Sequence, residues 1–438
     1  MVIAKYELIY RELRDQILSE RYLDGKLPPL QKLSSAYRVN PATISKAVKQ
    51  LESEGLVQCG PGSTGTIINL EQVRILQRKQ IFSRSNFHQK SVHLRYCLPA
   101  SGDILYAKLV EDFQSLYPSI EIELAECTES EIMDIGCRDA DVFQFALRNY
   151  PLLRKHGSIL ELAPFMERLP IESTLIDSGI VDHTAVPFFV NTPMVLINND
   201  LCGPDFEGNW DELQALVYAG KLVLNLGPLP FFYAWIGDLQ ENFCKIENRE
   251  RLTKAFALLK DMQNCGIEVG GCRIPDDFLQ GNVAVYIASS TYLGELDGKL
   301  PFGYRTLLLP HFGNEGTLSE AGFNAVFSGS RYPVESYLWC RYLGSSRAQR
   351  LLGKRKFAVP VCAAAFEQYR NLIAGDFTAD DIFKSPLTYR MSFFTMADFE
   401  YFNAMLIKRS IAENIAGDVV VAKMQQHFAE YSSLDDLR

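Results

Sequence analysis

The sequence predicts an α/β protein in two unequal parts, a small helical head followed by a much larger body. The chain has 438 residues, which is long enough for more than one domain of about 150 residues. Its first 70 residues place apolar side chains at helical spacing, and from His93 onward strand-like and helix-like segments alternate. An ordinary composition, with 47% hydrophobic and 22% charged residues, excludes fibrous and disordered classes.

The head is predicted to contain three helices and a short hairpin. Helices are expected over 6–19, 30–37 and 41–54, and strands over 56–57 and 66–68. The two prolines after Leu27 separate the first two helices. Asn40 and Pro41 form a start signal for the third, because Asn caps a helix N-terminus and Pro fits its first position. Gly55 is expected to end that helix.

The third helix has two contrasting faces. Its apolar side chains share the inward face: Ile44, Ala47, Val48 and Leu51. Small residues and lysines occupy the outward face: Ala42, Ser45, Lys46, Lys49 and Ser53. Such a face would let the helix approach a DNA groove, and the Gly-rich loop at 60–65 would lie along a neighbouring phosphate. A solvated helix face and an ordinary hairpin explain the same periodicity, so both interpretations stay open on this ground.

Four short sequence motifs favour the DNA-binding interpretation of the head. They are Leu27-Pro28, Val39-Asn40-Pro41-Ala42-Thr43-Ile44, Leu51-Glu52-Ser53-Glu54-Gly55-Leu56-Val57 and Gly65-Thr66. Together they resemble the winged helix-turn-helix of the GntR family of bacterial transcription factors. The resemblance covers residues 6–68 and implies that double-stranded operator DNA is a partner.

The resemblance also implies which residues contact DNA. They lie on the second and third helices and in the wing: Lys32, Thr43, Ser45, Lys46, Lys49, Thr64, Gly65 and Thr66. The chain departs from the family pattern where the family usually has Ser or Arg. Pro29 replaces the usual Ser, and Gln31, Pro41 and Ser45 stand where Arg is common. Bidentate arginine contacts to guanine are therefore largely missing, and we expect more affinity from lysines and the basic linker.

We place the head at residues 1–70, a basic linker at 71–92 and the body at 93–438. The linker has few apolar anchors, and its charged residues are almost all Lys or Arg. The whole chain nevertheless carries a formal net charge of −9. This asymmetry predicts that a polyanion meets the N-terminal part, although ordinary surface variation is the simpler alternative.

In the body, strands are expected over 92–98, 120–125, 140–145, 194–197, 223–226, 283–287 and 304–309. Helices are expected over 104–116, 210–217, 249–265 and 333–344, with a helical tail after Ala363. The alternation is typical of α/β folds with parallel sheets.

Ordered strings along the body carry a second resemblance. Among them are Phe113-Gln114-Ser115-Leu116-Tyr117-Pro118, Asp139-Ala140-Asp141-Val142-Phe143, Val195-Leu196-Ile197-Asn198-Asn199-Asp200 and Leu279-Gln280-Gly281-Asn282-Val283. Their order resembles the family 1 (maltose-binding-like) extracellular solute-binding proteins. The resemblance implies a two-lobed, periplasmic-binding-protein-like (type II) α/β domain with its ligand in the cleft.

Sugars need aromatic rings for their C–H faces and polar side chains for their hydroxyls. Candidates in loops at the expected strand ends are Ser101, Asp103, Arg148, Asn149, Asn191, Phe232, Tyr233, Trp235, Ser290, Tyr292, Phe323 and Asn324. Tyr233 and Trp235 are expected in a loop punctuated by Gly and Pro. Trp210 and Trp339 are expected in the core.

Several classes receive no support from the sequence. Uncharged runs fall short of the roughly 20 apolar residues of a membrane span, and the N-terminus lacks the apolar core of a secretory signal. The 10 cysteines are scattered and are expected to be reduced. We predict no metal site, no cofactor and no catalytic residues, because no corresponding motif is present.

These observations lead to one leading hypothesis, a cytoplasmic transcription regulator that binds operator DNA and responds to a sugar or oligosaccharide. A homodimer is expected, because one such head covers few base pairs. One alternative keeps this architecture but changes the effector to a non-sugar small molecule. Another, disfavoured alternative is a regulator with an aminotransferase-like body that holds pyridoxal phosphate. The sequence leaves the ligand, the operator and the direction of regulation open.

Overall fold

The computed structural model describes residues 5–18, 22, 25–60, 65–70, 72–73, 91–99, 104–133, 140–176, 181–227, 229–236, 245–267, 274–296, 298–311, 319–383 and 407–435. The candidate residues Thr64, Ser101 and Asp103 lie outside these ranges, as does most of the predicted linker.

The head combines three helices with a small antiparallel sheet. Its helices are α1 (Lys5–Leu18), α2 (Leu30–Tyr37) and α3 (Pro41–Ser53). Its strands are β1 (Lys26–Leu27), β2 (Val57–Cys59) and β3 (Thr66–Ile68), in the order β1-β3-β2. The helices close over one apolar cluster in which Leu13, Ile44 and Leu51 are fully buried.

Local signals fix the boundaries of α3, as predicted. The Asn40 side chain accepts a hydrogen bond from the Ala42 N–H at 2.9 Å, and Pro41 occupies the first helical position. Gly55 ends the helix with φ of +74°, a conformation that an L side chain rarely adopts. The inward face of α3 is buried as expected.

The first lobe of the body, the N-lobe, contains a six-stranded mixed sheet in the order β13-β7-β12-β6-β4-β5. Its strands are β4 (Val92–Leu98), β5 (Ile120–Glu126), β6 (Val142–Ala146), β7 (Ala185–Asn191), β12 (Glu320–Val326) and β13 (Val359–Pro360). Strand β4 pairs in parallel with β5 and β6, whereas β12 runs antiparallel to β6 and β7.

The second lobe, the C-lobe, contains a four-stranded mixed sheet in the order β11-β8-β10-β9. Its strands are β8 (Pro193–Asn198), β9 (Leu222–Asn225), β10 (Val285–Ser289) and β11 (Tyr304–Leu308). Strand β10 is parallel to β9 and antiparallel to β8. The expectation of parallel sheets is therefore met only in part, because the chain crosses between lobes and returns in the opposite direction.

The helices of the body cover both faces of the two sheets. In chain order they are α4 (Ile104–Leu116), α5 (Glu129–Met133), α6 (Tyr150–Lys155), α7 (Ala163–Met166), α8 (Trp210–Tyr218), α9 (Leu229–Ile236), α10 (Arg249–Asn264), α11 (Asp276–Leu279), α12 (Pro333–Leu343), α13 (Ser346–Lys354), α14 (Ala363–Leu372), α15 (Ala379–Phe383), α16 (Arg409–Ala412) and α17 (Gly417–Asp435).

Alternation along β8 divides its side chains between two apolar clusters. In the C-lobe, Val195 and Ile197 of β8 face the cluster formed with α8, α10 and α17, while Met194 and Leu196 face the opposite side. That opposite cluster also contains Phe143 of the N-lobe sheet. The two lobes therefore share one continuous apolar core beside the chain crossing.

The predicted loop around Tyr233 and Trp235 is wrong, because both residues belong to helix α9. Pro230 does not interrupt this helix, because a proline in the first helical turn leaves no intrahelical hydrogen bond unmade.

Candidate functional site

The outward face of α3 presents the residues expected to meet DNA. Lys46 and Lys49 are exposed, and Thr43 and Ser45 are half-buried beside them. Lys32 is exposed on α2. In the wing, Gly65 is exposed with φ of +71° and Thr66 is half-buried on β3. The described candidates thus include polar and basic side chains that solvent, and a DNA backbone, can reach.

Two features of this face were not predicted. The Lys46 ammonium lies over the Tyr6 ring of α1, with Nζ 5.3 Å from the ring centroid. This cation–π contact holds the long side chain close to α1. Arg38 is exposed in the turn between α2 and α3, with φ of +52°. The sequence could have indicated Arg38 as a basic residue of this face, because it directly follows the predicted helix at 30–37.

A polar contact behind α3 fixes it against α1. The Glu54 carboxylate accepts hydrogen bonds from the Tyr10 hydroxyl and from Arg14 Nε, the latter at 2.9 Å. Burial raises the pKa of the Glu54 carboxyl above its usual value. Gln72 Nε2 donates to the Glu54 carbonyl oxygen at 3.2 Å, so the residues after the wing also attach to the end of α3.

The cleft expected from the sequence would lie between the N-lobe and the C-lobe, beside the place where the chain crosses from β7 to β8. Strand β7 ends at Asn191 and β8 begins at Pro193, so the edge of the N-lobe sheet at Asn191 faces the C-lobe. Because β12 is antiparallel to β7, Glu320 lies opposite Asn191 at the same edge. The carboxyl end of β6 lies there too, since Ala146 pairs with Gly322.

An ion cluster occupies this edge of the N-lobe. Arg148, in the 3₁₀ turn after β6, donates from Nη2 to both carboxylate oxygens of Glu129 at 2.8 Å. Its Nη1 contacts the Glu320 carboxylate. Asn149 Nδ2 donates to Glu129 as well. We call Arg148, Glu129 and Glu320 the Arg148 cluster.

Sequence reasoning found Arg148, Asn149 and Asn191 at this edge but missed Glu129 and Glu320. Glu129 follows the end of β5 in the way that Arg148 follows β6, and this position after a strand was the available signal. Glu320 begins a strand that the sequence analysis did not identify. The Asn191 Oδ1 atom is buried and accepts no hydrogen bond from the described part of the chain.

A second polar group joins the lobes at the crossing. Ser290 N donates to the Thr192 carbonyl oxygen at 2.9 Å, and Thr192 N donates to Ser290 Oγ at 3.1 Å. Ser319 Oγ donates to Thr192 Oγ1 at 3.0 Å. These three residues are at most 1% exposed. Ser290 is thus placed at the crossing, where its hydroxyl is already engaged.

The C-lobe side of the cleft comes from the ends of β9 and β10. Tyr292 follows β10 and is half-buried. Trp235 is half-buried on α9, with its ring centroid 5.9 Å from that of Trp210. Trp210 and Trp339 are buried in the core, as expected.

Four candidates are corrected by their burial. Phe232 and Tyr233 belong to the C-lobe core, and Phe323 belongs to the core that the lobes share. Asn324 is 0% exposed, and its Oδ1 accepts a hydrogen bond from the Tyr96 hydroxyl at 2.7 Å. In this conformation none of the four can reach a ligand in the cleft. Strand alternation explains the error, because Phe323 and Asn324 point to opposite faces of one sheet rather than to its edge.

The described residues contain neither a metal-binding cluster nor a membrane-spanning helix. Among them, no three or more His, Cys, Asp or Glu side chains are grouped as a metal ion would require. No helix within the described ranges is long and apolar enough to cross a bilayer.

Comparison with known proteins agrees with this architecture. Residues 5–68 match the family model described as bacterial regulatory proteins, gntR family. The full chain matches none of the curated proteins with which it was compared.

Solved structures match the body. An ABC substrate-binding protein of Listeria monocytogenes in complex with cycloalternan has a TM-score of 0.61 at 14% identity, covering 78% of this chain and 100% of its own. UgpB of Mycobacterium tuberculosis in complex with glycerophosphocholine has a TM-score of 0.64 at 14% identity, with 79% and 99% covered. The GacH receptor of Streptomyces glaucescens, solved unliganded and with acarbose, has a TM-score of 0.61 at 16% identity, with 78% and 98% covered.

The chain therefore combines a gntR-family DNA-binding domain with a body that has the fold of solute-binding proteins. Both parts of the predicted fold class are confirmed. The DNA-binding domain supports assignment to the transcription regulators. The fold of the body also removes the aminotransferase-like alternative, which needs a different architecture.

Proposed function

We propose that this protein is a ligand-responsive transcription regulator. Its head binds operator DNA through the exposed face of α3, and its body binds an effector between the lobes. One observation carries the proposal: a gntR-family head with exposed Lys46 and Lys49 is joined to a two-lobed body with a polar crossing at Thr192. We propose no catalytic role for either part.

The proposed effector is a sugar or oligosaccharide. Structural neighbours with cycloalternan and with acarbose support this class. The cleft edge adds support, because the partly exposed carboxylates of Glu129 and Glu320 supply hydrogen-bond acceptors that ligand hydroxyls can satisfy. Tyr292, half-buried on the opposite side, offers an aromatic ring.

Regulation would follow from closure of the lobes. An effector that binds the closed body better than the open one shifts that equilibrium. A tenfold change in operator affinity needs a coupling free energy of only about 1.4 kcal/mol. We propose a homodimer, because two heads are needed to bind paired half-sites. We also propose the cytoplasm as its location, since that is where its DNA target lies.

The test uses the full chain and labelled DNA from its own locus. Fluorescence anisotropy should detect binding that weakens steeply with salt. A panel of saccharides should then be screened for thermal stabilisation, and each stabilising compound should change the operator affinity. The DNA-binding part of the proposal fails if no fragment of the locus binds. The effector part fails if stabilising compounds leave the affinity unchanged.

A non-sugar effector is the second candidate. The observation that favours it is the glycerophosphocholine complex of UgpB, which has the same fold. Stabilisation by a non-carbohydrate but by none of the saccharides would support this alternative.

A further inference from the structure

The Arg148 cluster lies on the side of the cleft where an effector would contact the N-lobe. Its members come from three separate places in the chain, after β5, after β6 and at the start of β12. The strand register brings all three to the edge that faces the C-lobe. The cluster therefore sets the charge that a ligand meets on this side.

The guanidinium in this cluster is already bound to carboxylates. Arg148 Nη2 donates to both oxygens of Glu129 at 2.8 Å, and Nη1 contacts Glu320. The three side chains are partly buried: 18% of Arg148, 20% of Glu129 and 33% of Glu320 is exposed. Two carboxylates on one guanidinium leave the cluster with one excess negative charge.

Within the described part of the chain, Arg148 is the only cation that contacts Glu129 or Glu320. Asn191 adds a buried acceptor at the same edge. Another cation, Lys356, lies shortly before β13, the outermost strand on the opposite side of the N-lobe sheet. It is 7% exposed. Its Nζ donates to the Tyr304 hydroxyl at 3.3 Å. The three side chains of the Arg148 cluster therefore sum to a net negative charge, and the cluster offers mainly hydrogen-bond acceptors.

We infer that Glu129 and Glu320 are specificity-determining residues that exclude anionic groups from this side of the cleft. The inference rests on the proposed function, because it concerns the effector of the same cleft. A phosphate or carboxylate would meet a guanidinium that already holds two carboxylates, and it would have to displace one of them. A group that carries hydrogen-bond donors can instead bind remaining lone pairs of these carboxylates, of which Glu320 is the more exposed.

The prediction is tested with inorganic phosphate, so the natural effector need not be known. Binding to the full chain is measured by isothermal titration at constant ionic strength. The variants are Glu129→Gln/Glu320→Gln, the single changes Glu320→Gln and Arg148→Met, and the double variant with Arg148→Met added. The matched control is Glu247→Gln, which removes an exposed carboxylate from the C-lobe.

The wild type and the control should show no binding that depends on Arg148. The double variant should bind phosphate about tenfold more tightly than the wild type, because its guanidinium is freed for a charge-assisted contact. Glu320→Gln alone should give part of this gain, and adding Arg148→Met should abolish it. The triple variant also subtracts any phosphate bound by the basic head.

Two results would overturn the inference. One is phosphate binding by the wild type that Arg148→Met removes. The other is a folded double variant, or a folded Glu320→Gln variant if the double one does not fold, with no gain in affinity. Neither result bears on operator binding or on stabilisation by saccharides, so failure here is distinguishable from failure of the proposed function.

Discussion

The contribution of α3 to operator affinity can be predicted from the exposed charges of the head. The described DNA-facing surface carries four exposed basic side chains, Lys32, Arg38, Lys46 and Lys49. If each neutralises one phosphate, the proposed dimer would make about eight such contacts, and log K should fall against log salt with a slope of about −7. Replacing Lys46 and Lys49 with Ala leaves about four contacts and a slope of about −3.6.

The two slopes predict very different losses in the same experiment. Raising salt from about 50 mM to about 200 mM should lower the DNA affinity of the wild type about 10⁴-fold and that of the variant only about 10²-fold. The measurement is fluorescence anisotropy on operator and on unrelated DNA. The variant should bind both more weakly, because phosphate contacts carry no sequence information.

The control removes two exposed lysines from the body, Lys155 and Lys354. Its slope should equal that of the wild type, which separates contact at the DNA face from the effect of net charge. An unchanged slope in the Lys46→Ala/Lys49→Ala variant would refute the assignment of α3 as the DNA-contacting helix. So would an equal decrease in the control.

Three further predictions concern stability. Gly294→Ala should destabilise the fold by about 1–3 kcal/mol in urea denaturation, because its Cβ would lie 2.6 Å from the Arg355 carbonyl oxygen; Gly203→Ala, whose Cβ meets nothing within 4 Å, should not. Gln349→Ala should cost about 1–3 kcal/mol, since this buried amide donates to two backbone carbonyls at 2.7 and 2.9 Å and accepts from an N–H at 2.8 Å; an unchanged thermal midpoint would contradict this. Burial, with a smaller contribution from a nearby carboxylate, raises the pKa of Tyr37 from 10.0 to about 12. The stability that this pKa shift adds to the fold is therefore present below about pH 10 and is lost as pH rises toward about 12. Tyr37→Phe should reduce the alkaline loss of stability measured by denaturant titration.

Local signals explain why the head was predicted closely. The expected helix at 30–37 coincides with α2, and Asn40 caps α3 as its sequence position indicated. Caps and turns depend on neighbouring residues, so one sequence contains most of the information. The hairpin was also found, although β1 was not, because a two-residue strand has no period of its own.

In the body, two buried strands were not predicted from the sequence. Strands β7 and β12 were not predicted, and they carry Asn191 and Glu320 to the cleft edge. Both are almost continuously buried, so they lack the alternation that marks a half-exposed strand. Glu320 was missed together with β12, whereas Glu129 follows a predicted strand, and its pairing with Arg148 depends on contacts between distant parts of the chain.

The topology also limits how closure can affect the head. The linker joins the body at β4, which begins at Val92 and runs parallel to β6. Since the carboxyl end of β6 lies at the cleft edge, Val92 lies at the opposite edge of the N-lobe sheet. In the proposed closure, rotation of the C-lobe about Thr192 would leave this attachment unchanged. A response of DNA binding to effector therefore requires a contact made by the C-lobe, either with a head or with a second copy of the chain.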